Sequence, residues 1–454
     1  MNALPGGLHT DQQPPMTIPL RHFVVGLAFL VAGVGMGTVQ SVSSLPGLDS
    51  IAHVHLLLIG WICLTIMGAM TQFVPVWSGV TLYSRRLAVV QLWLVSGGLV
   101  GFVAVLLAGR LVLLPAFATL LLAGIWVFVY NVGRTLARAR PLDSTERHFA
   151  FALGCFAAVA PLGVALAVDL QTPVFDALSV GRFDVILAHA TLAVFGGVLA
   201  TVVGALSQLA TMFTQASPAR IDRPLLRLEA WALPAGVVCF ALGRGLGSLA
   251  LARVGALAVL VGAAAFALVV AGLLSRASVD RSPMTARYWV VVGSLLAWAA
   301  LAAPAWWRDP MAPDALFGAP GTSTLLVVGV FGFVVVGTLY HVIPFIVWLD
   351  RYSDRLGFER VPMIDDLYSS RLERVDFAAT VAGFAGLAAA GLLPVPAAVV
   401  VAGGVSMTIG FAVFAANMLL VIHRHGPGGF GGALSRSRSD SEETVDVADE
   451  RATG

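Results

Sequence analysis

The chain predicts an all-α polytopic membrane protein, on three observations. Of its 454 residues 58% are hydrophobic and 11% charged, with a mean hydropathy of +0.89, whereas soluble domains carry about 25% charged residues. Apolar runs long enough to cross a bilayer as helices, about 20 residues each, recur from one end of the chain to the other. These runs lack the alternation of barrel strands, and a helix satisfies every backbone polar group within lipid.

The runs lie near 21–43, 51–76, 87–108, 111–133, 148–168, 184–212, 228–246, 249–274, 287–304, 322–348, 375–393 and 395–422, giving about twelve transmembrane helices. The junctions at 246–249 and 393–395 require tight turns, and Pro394 and Pro396 favour the second. Residues 1–20 read as a flexible, Pro-rich arm without the basic-then-apolar layout of a cleaved signal, 21–425 as the transmembrane domain, and 426–454 as a disordered cytoplasmic tail. The lipid bilayer is the partner these runs require. A net charge of +2 and the lack of a basic patch give no sign of nucleic acid. Cys63, Cys155 and Cys239 sit in apolar runs without pairing or a CxxC motif and read as small core residues.

Loop charges set the orientation. One set of connections carries Arg85 and Arg86, then Arg134, Arg138, Arg140 and Arg147, then Arg220, Arg223 and Arg227, then Arg276, Arg281 and Arg287. The alternate connections hold Asp49, Asp169, Asp176, Asp184, Asp309 and Asp314, with Arg244, Arg253 and Arg308 as exceptions. Both termini are therefore expected in the cytoplasm. The 349–374 loop is long and mixed in charge. It packs under the bundle, meets a partner or is simply solvated.

The chain also repeats. Arg21-His22-Phe23, Arg147-His148-Phe149 and Arg287-Tyr288-Trp289 open spans 1, 5 and 9. Spans 2, 6 and 10 carry Gly60 and Gly68, Gly196 and Gly204, and Gly329 and Gly337 at one spacing, preceded in register by His53, His189 and Thr322. Arg86-Leu87, Arg227-Leu228 and Arg371-Leu372 open spans 3, 7 and 11. Several registers agreeing in order predict three pseudo-repeated four-helix units.

The stretch 53–79, HVHLLLIGWICLTIMGAMTQFVPVWSG, is apolar yet opens on two histidines. Imidazole is costly in hydrocarbon unless paired, hydrated or bound to a metal. On a helix His53 and His55 lie about 200° apart, so they serve two flanks, or one binds while the other hydrogen-bonds. With His189 they cluster at the outer ends of their helices. Imidazoles suit haem iron and copper, so haem b held by two of His53, His55 and His189, with the third for copper or a second haem, is weighed against simple interfacial hydrogen bonding. His341 lies roughly 28 Å deeper at 1.5 Å per residue and is a secondary candidate for an inner polar site or a helix-end cap. His22 and His148 read as interfacial anchors, and Met67, Met70 and Cys63 as core. Acidic residues are nearly absent from span interiors, which gives a transporter little support.

His53-Val54-His55, Gly60, Gly68, Pro75 and Trp77-Ser78-Gly79 together resemble the HxH…G…G…P-x-W-[ST]-G segment of NnrS-type membrane proteins, which respond to nitric oxide. Twelve helices in three units of four, with histidines on spans 2, 6 and 10, also resemble subunit I of haem-copper oxidases and nitric oxide reductases. The resemblance implies a haem-copper oxidase subunit I-like bundle in a prokaryotic plasma membrane. It implies haem b, admits copper, and points to electron transfer or to binding, response or detoxification of nitric oxide or dioxygen. A redox partner or second subunit would supply electrons, and an oxidoreductase acting on one of these gases is the catalytic form this would take. Oxidase subunits carry further copper-binding histidines on spans 6 and 7 and an HxH on span 10. Here span 7 has none and span 10 has only His341, at the wrong end, so a complete oxygen-reductase centre is not expected. The competing reading is a metal-free transporter or assembly protein on the same scaffold.

Overall fold

A computed structural model describes residues 12–178, 180–279 and 282–426, with residues 429 and 432. His9, Arg281, most of the amino-terminal arm and nearly all of the tail lie outside the described residues. Twelve helices are long and apolar enough to cross a membrane, and there is no strand among the described residues. They are α1 Thr17–Gln40, α2 Asp49–Ser78, α3 Arg85–Leu107, α4 Leu111–Leu136, α5 Ser144–Asp169, α6 Arg182–Thr214, α7 Asp222–Gly245, α8 Leu249–Ser275, α9 Pro283–Arg308, α10 Leu325–Arg351, α11 Ser370–Leu392 and α12 Ala397–His425.

Every expected span is present, with ends displaced where capping chemistry outruns the apolar run. Ser84 accepts from the Leu87 amide to start α3, and Ser369 does the same for α11 through Leu372. Asp143 and Glu146 close a capping box on α5. α1 begins at Thr17, so Thr17 to Leu20 of the expected arm are helical and buried. The α7–α8 junction is as tight as expected, with Gly247 in the left-handed region at φ 66. Of the 349–374 connection, one end packs under the bundle. Leu367 is buried, Ser369 bonds Asn417 of α12, and Trp348 donates to the Pro362 carbonyl. Burial there pushes the Tyr368 hydroxyl above its ordinary pKa. Phe358, 91% exposed, marks the solvated end.

Three helices stand at the centre. In α2, α6 and α10, 61%, 78% and 78% of the apolar window is buried, against 17–56% in the others. Each of the three contains an eight-residue π-helical stretch, Leu56–Cys63, Leu192–Leu199 and Leu325–Gly332, whose fifth residue is glycine. Close packing requires those glycines. A Cβ on Gly60, Gly196 or Gly329 would stand 2.7 Å from Phe29 Cγ, 2.5 Å from Cys155 Sγ or 2.4 Å from Ser294 Oγ. Eight residues further on, a Cβ on Gly68 or Gly204 would stand 2.6 Å from the Cβ of His22 or 2.8 Å from that of His148, and Gly337 faces Tyr288 and Arg287. Around this centre α3–α4, α7–α8 and α11–α12 form hairpins, and Thr38 of α1 bonds Thr408 of α12 at 2.6 Å.

The end of the bundle from which α1 starts, called proximal below, is cross-linked by buried polar groups that the apolar runs conceal. His22 and His148 are not interfacial anchors, being only 1% and 3% exposed. His22 Nε2 lies 3.4 Å from Gln91 Nε2 of α3, and His148 Nε2 lies 2.8 Å from Glu229 Oε1 of α7. Arg287 of α9 is bonded to Asp376 of α11 and lies 3.4 Å from Glu373 Oε1. Tyr340 of α10 donates to Asp376 in turn, and Asn417 donates to Tyr340 at 3.1 Å. The expectation of few acids inside the spans is corrected here. Glu229, Glu373 and Asp376 are buried, each within about two turns of a helix start at 3.6 residues per turn.

Candidate functional site

His53 and His189 enter the fold by the same device. Each stands in the first turns of a central helix and turns back onto the helix before it, where a glycine makes room. A Cβ on Gly37 of α1 would stand 2.9 Å from His53 Nε2, and one on Gly163 of α5 would stand 3.2 Å from His189 Cε1. Four residues before Gly163 is the backbone partner of His189, whose Nδ1 lies 3.1 Å from the Val159 carbonyl. Ahead of α10 the matching position is Thr322, whose hydroxyl donates to the Ala319 carbonyl.

His55 points elsewhere, as the 200° offset requires. Its Nδ1 lies 2.8 Å from the Ile51 carbonyl, and its ring packs on Phe102 of α3 with centroids 5.0 Å apart. His55 and His189 thus stand in the opening turns of two central helices, α2 and α6, while His53 faces α1. A carbonyl only accepts, so at His55 and His189 the proton sits on Nδ1 and the lone pair on Nε2. That is the tautomer an Nε2-bound metal uses, with the ring oriented by a backbone bond. His53 Nε2 is buried without a partner among the described residues. No group of three or more His, Cys, Asp or Glu suited to one metal ion occurs among the described residues, so the three imidazoles do not form one three-ligand centre.

His341 is at the other end of the bundle, as its register requires. It caps no helix end. It lies within α10, edge-on to Phe213 at 4.7 Å and stacked on Phe345 at 6.1 Å. Cys63, Met67 and Met70 are buried core residues as expected, whereas Cys239 is only half-buried.

Arg244, counted as an exception among the loop charges, is fully buried in α7. It donates to the carbonyls of Pro310, Ala315 and Leu316 and to the Thr191 hydroxyl at 2.8–3.2 Å, and lies 3.9 Å over the Phe240 ring. Thr191 is two residues beyond His189, so this guanidinium holds the histidine-bearing turn of α6 against the 310–316 connection. Arg244→Met would leave these acceptors unmet, at a cost of about 3–5 kcal/mol. Equilibrium unfolding in mixed micelles checks it, and an unchanged midpoint would remove Arg244 from the site's support. Only long-range partners, 53 and 66–72 residues away, could have revealed it.

These elements define a polytopic helical membrane protein with half-buried histidines near one end of two central helices. No protein-family model matches the chain, and no curated protein matches it.

Proposed function

We propose that this chain is a haem b-binding integral membrane protein on a haem-copper oxidase subunit I-like scaffold. It would sit in a prokaryotic plasma membrane with both termini in the cytoplasm, and would act in electron transfer or in the binding of a small gas, nitric oxide or dioxygen. The observation that carries it is that His55 and His189, in the opening turns of two central helices, each have Nδ1 tied to a backbone carbonyl, which leaves the Nε2 lone pair for a metal. Three four-helix units underlie the scaffold. This is supported by the recurrence of one glycine contact at Gly60, Gly196 and Gly329, and by π-helical stretches at one position in α2, α6 and α10. π-helical turns are rare and frequent at functional sites.

The residues present fit an iron porphyrin in donor chemistry: two neutral imidazoles oriented by the backbone, with a third, His53, presenting an orphaned buried Nε2. His55 and His189 would hold the iron, and the group would supply one-electron and gas-binding chemistry when bound. The Ile51 and Val159 carbonyls hold the two rings in orientation, and Phe102 packs against His55. Copper, if bound, would fall to His53. The decisive measurement is a reduced-minus-oxidised optical spectrum of the full-length protein, purified in detergent after growth with ample haem, with iron and copper analysis of the same sample. A b-type signal with about one iron per chain is expected for a single two-histidine site. A colourless, metal-free protein would sink the reading in favour of a transporter or assembly role.

A further inference from the structure

A cavity of about 600 Å³ opens at the proximal end between α5, α6, α7 and α8, away from the three histidines. Its deep walls are apolar: Leu206, Leu226, Pro234, Phe266, Val270 and Leu273. The mouth is polar, with Ser144, Gln208, Asp143 and two arginines, Arg147 and Arg227. Beside the slot, Ala210, Val269 and Leu273 form an apolar cluster separate from the main core. A void this large with such walls forfeits dispersion contacts on every side, and apolar cavities do not fill with water. Within a bilayer the available filler is an acyl chain.

The mouth specifies the head. Arg147 spends one nitrogen on the Asp143 carbonyl, and neither Arg147 nor Arg227 has a carboxylate at ion-pair distance among the described residues. The Asp143 carboxylate is already engaged, capping α5 at Glu146 and meeting Gln208. The buried His148 in the wall is satisfied by Glu229. Two exposed guanidiniums are therefore left over an apolar slot. Basic pockets between transmembrane helices recognise anionic lipid heads, and guanidinium matches phosphate oxygens geometrically. Trp231, 79% exposed on α7, stands at the same mouth.

We propose that this cavity is a binding site for one anionic phospholipid, its phosphate between Arg147 and Arg227 and one acyl chain in the slot of α6, α7 and α8. The site stands whether or not the chain binds haem.

The test uses the full-length protein, delipidated in mild detergent and offered phosphatidylglycerol or phosphatidylcholine, with retained lipid counted by native mass spectrometry. One phosphatidylglycerol per chain is expected to persist where phosphatidylcholine does not. R147Q/R227Q should weaken retention about thirtyfold, from the loss of two phosphate-facing cations. Ala230→Trp, which fills the slot from its wall, should abolish it. Equal retention of the two lipids, or unchanged retention in both variants, would overturn the site. Should the variants fail to fold, fluorescence of the unaltered protein decides. Brominated phosphatidylglycerol should quench it more than brominated phosphatidylcholine at equal mole fraction, and the excess should vanish in Trp231→Phe. No excess would also overturn the site.

Discussion

If the chain binds haem as proposed, replacing His55 or His189 with Ala is expected to strip it away, while His22→Ala and His148→Ala are expected to leave the haem spectrum unchanged. The two groups are separated by what each ring does with Nε2. In His148 that atom is spent on Glu229 at 2.8 Å, and in His22 it faces Gln91, so neither has a lone pair free for iron. In His55 and His189 only Nδ1 is engaged, by carbonyls of Ile51 and Val159. Altering an outer-shell partner of a metal ligand typically costs about 10–100-fold in affinity, and loss of a ligand costs more. Haem per chain should thus fall below detection in either variant after detergent washing. His53→Ala discriminates further. Because the His53 ring faces Gly37 of α1, that variant should keep the haem and lose any copper. Were His55→Ala to retain haem while His53→Ala lost it, the residues holding it would be His53 and His189, and the placement argued from His55 would be wrong. The washed protein's haem-to-protein ratio, read from the reduced spectrum, supplies the answer.

The twelve spans were legible because a bilayer leaves few options. A run of apolar residues about 20 long, bounded by arginines or glycines, becomes a helix whatever its neighbours do. The geometry of the HxH pair was equally legible, because a helix fixes an angular offset without knowledge of the partner. Partners themselves were not. His22 and His148 stand beside arginines at helix starts and so read as interfacial, yet they are buried by residues 69 and 81 positions away. Arg244 read as a loop cation because its helix was expected to begin at 228 and end near it. Only the fold shows the three carbonyls and the hydroxyl that make burial of the charge tolerable. Glu229 and Asp376 were hidden for a related reason. Both fall at the edges of apolar runs, where an acid is ordinarily solvated, but the helices begin about one and a half turns before those runs, at Asp222 and Ser370. The π-helical stretches carry no composition signal beyond a glycine, and glycine is common here, at 48 residues.

Arg287→Met should destabilise the protein by about 3–5 kcal/mol, the cost of leaving buried charge without its counterpart. Arg287 is fully buried and is the only cation paired with Glu373 and Asp376 among the described residues. Its removal leaves two buried carboxylates, with only the Tyr340 hydroxyl donating to Asp376 from another helix. Buried pairs are weak sources of net stability when intact, because desolvation offsets their attraction, so removing both signs should be far milder than removing one. Hence Arg287→Met combined with Glu373→Gln and Asp376→Asn should recover most of the loss. The exposed Arg147, by contrast, should change unfolding by no more than about 0.5 kcal/mol when replaced with Met. Unfolding in mixed micelles reads all three. The pattern expected is a large loss, a recovery and no change, in that order. A triple variant no more stable than the single one would mean that Arg287 acts through its packing on Tyr340 and Phe377, over whose rings it lies at 4.9 and 5.1 Å, and not through its charge. In either case the effect falls on α9, α10 and α11 at the proximal end, far from His55 and His189. If the chain binds haem as proposed, haem content per folded chain should therefore stay at the wild-type value, which separates the residues that hold the bundle together from the histidines proposed to hold haem.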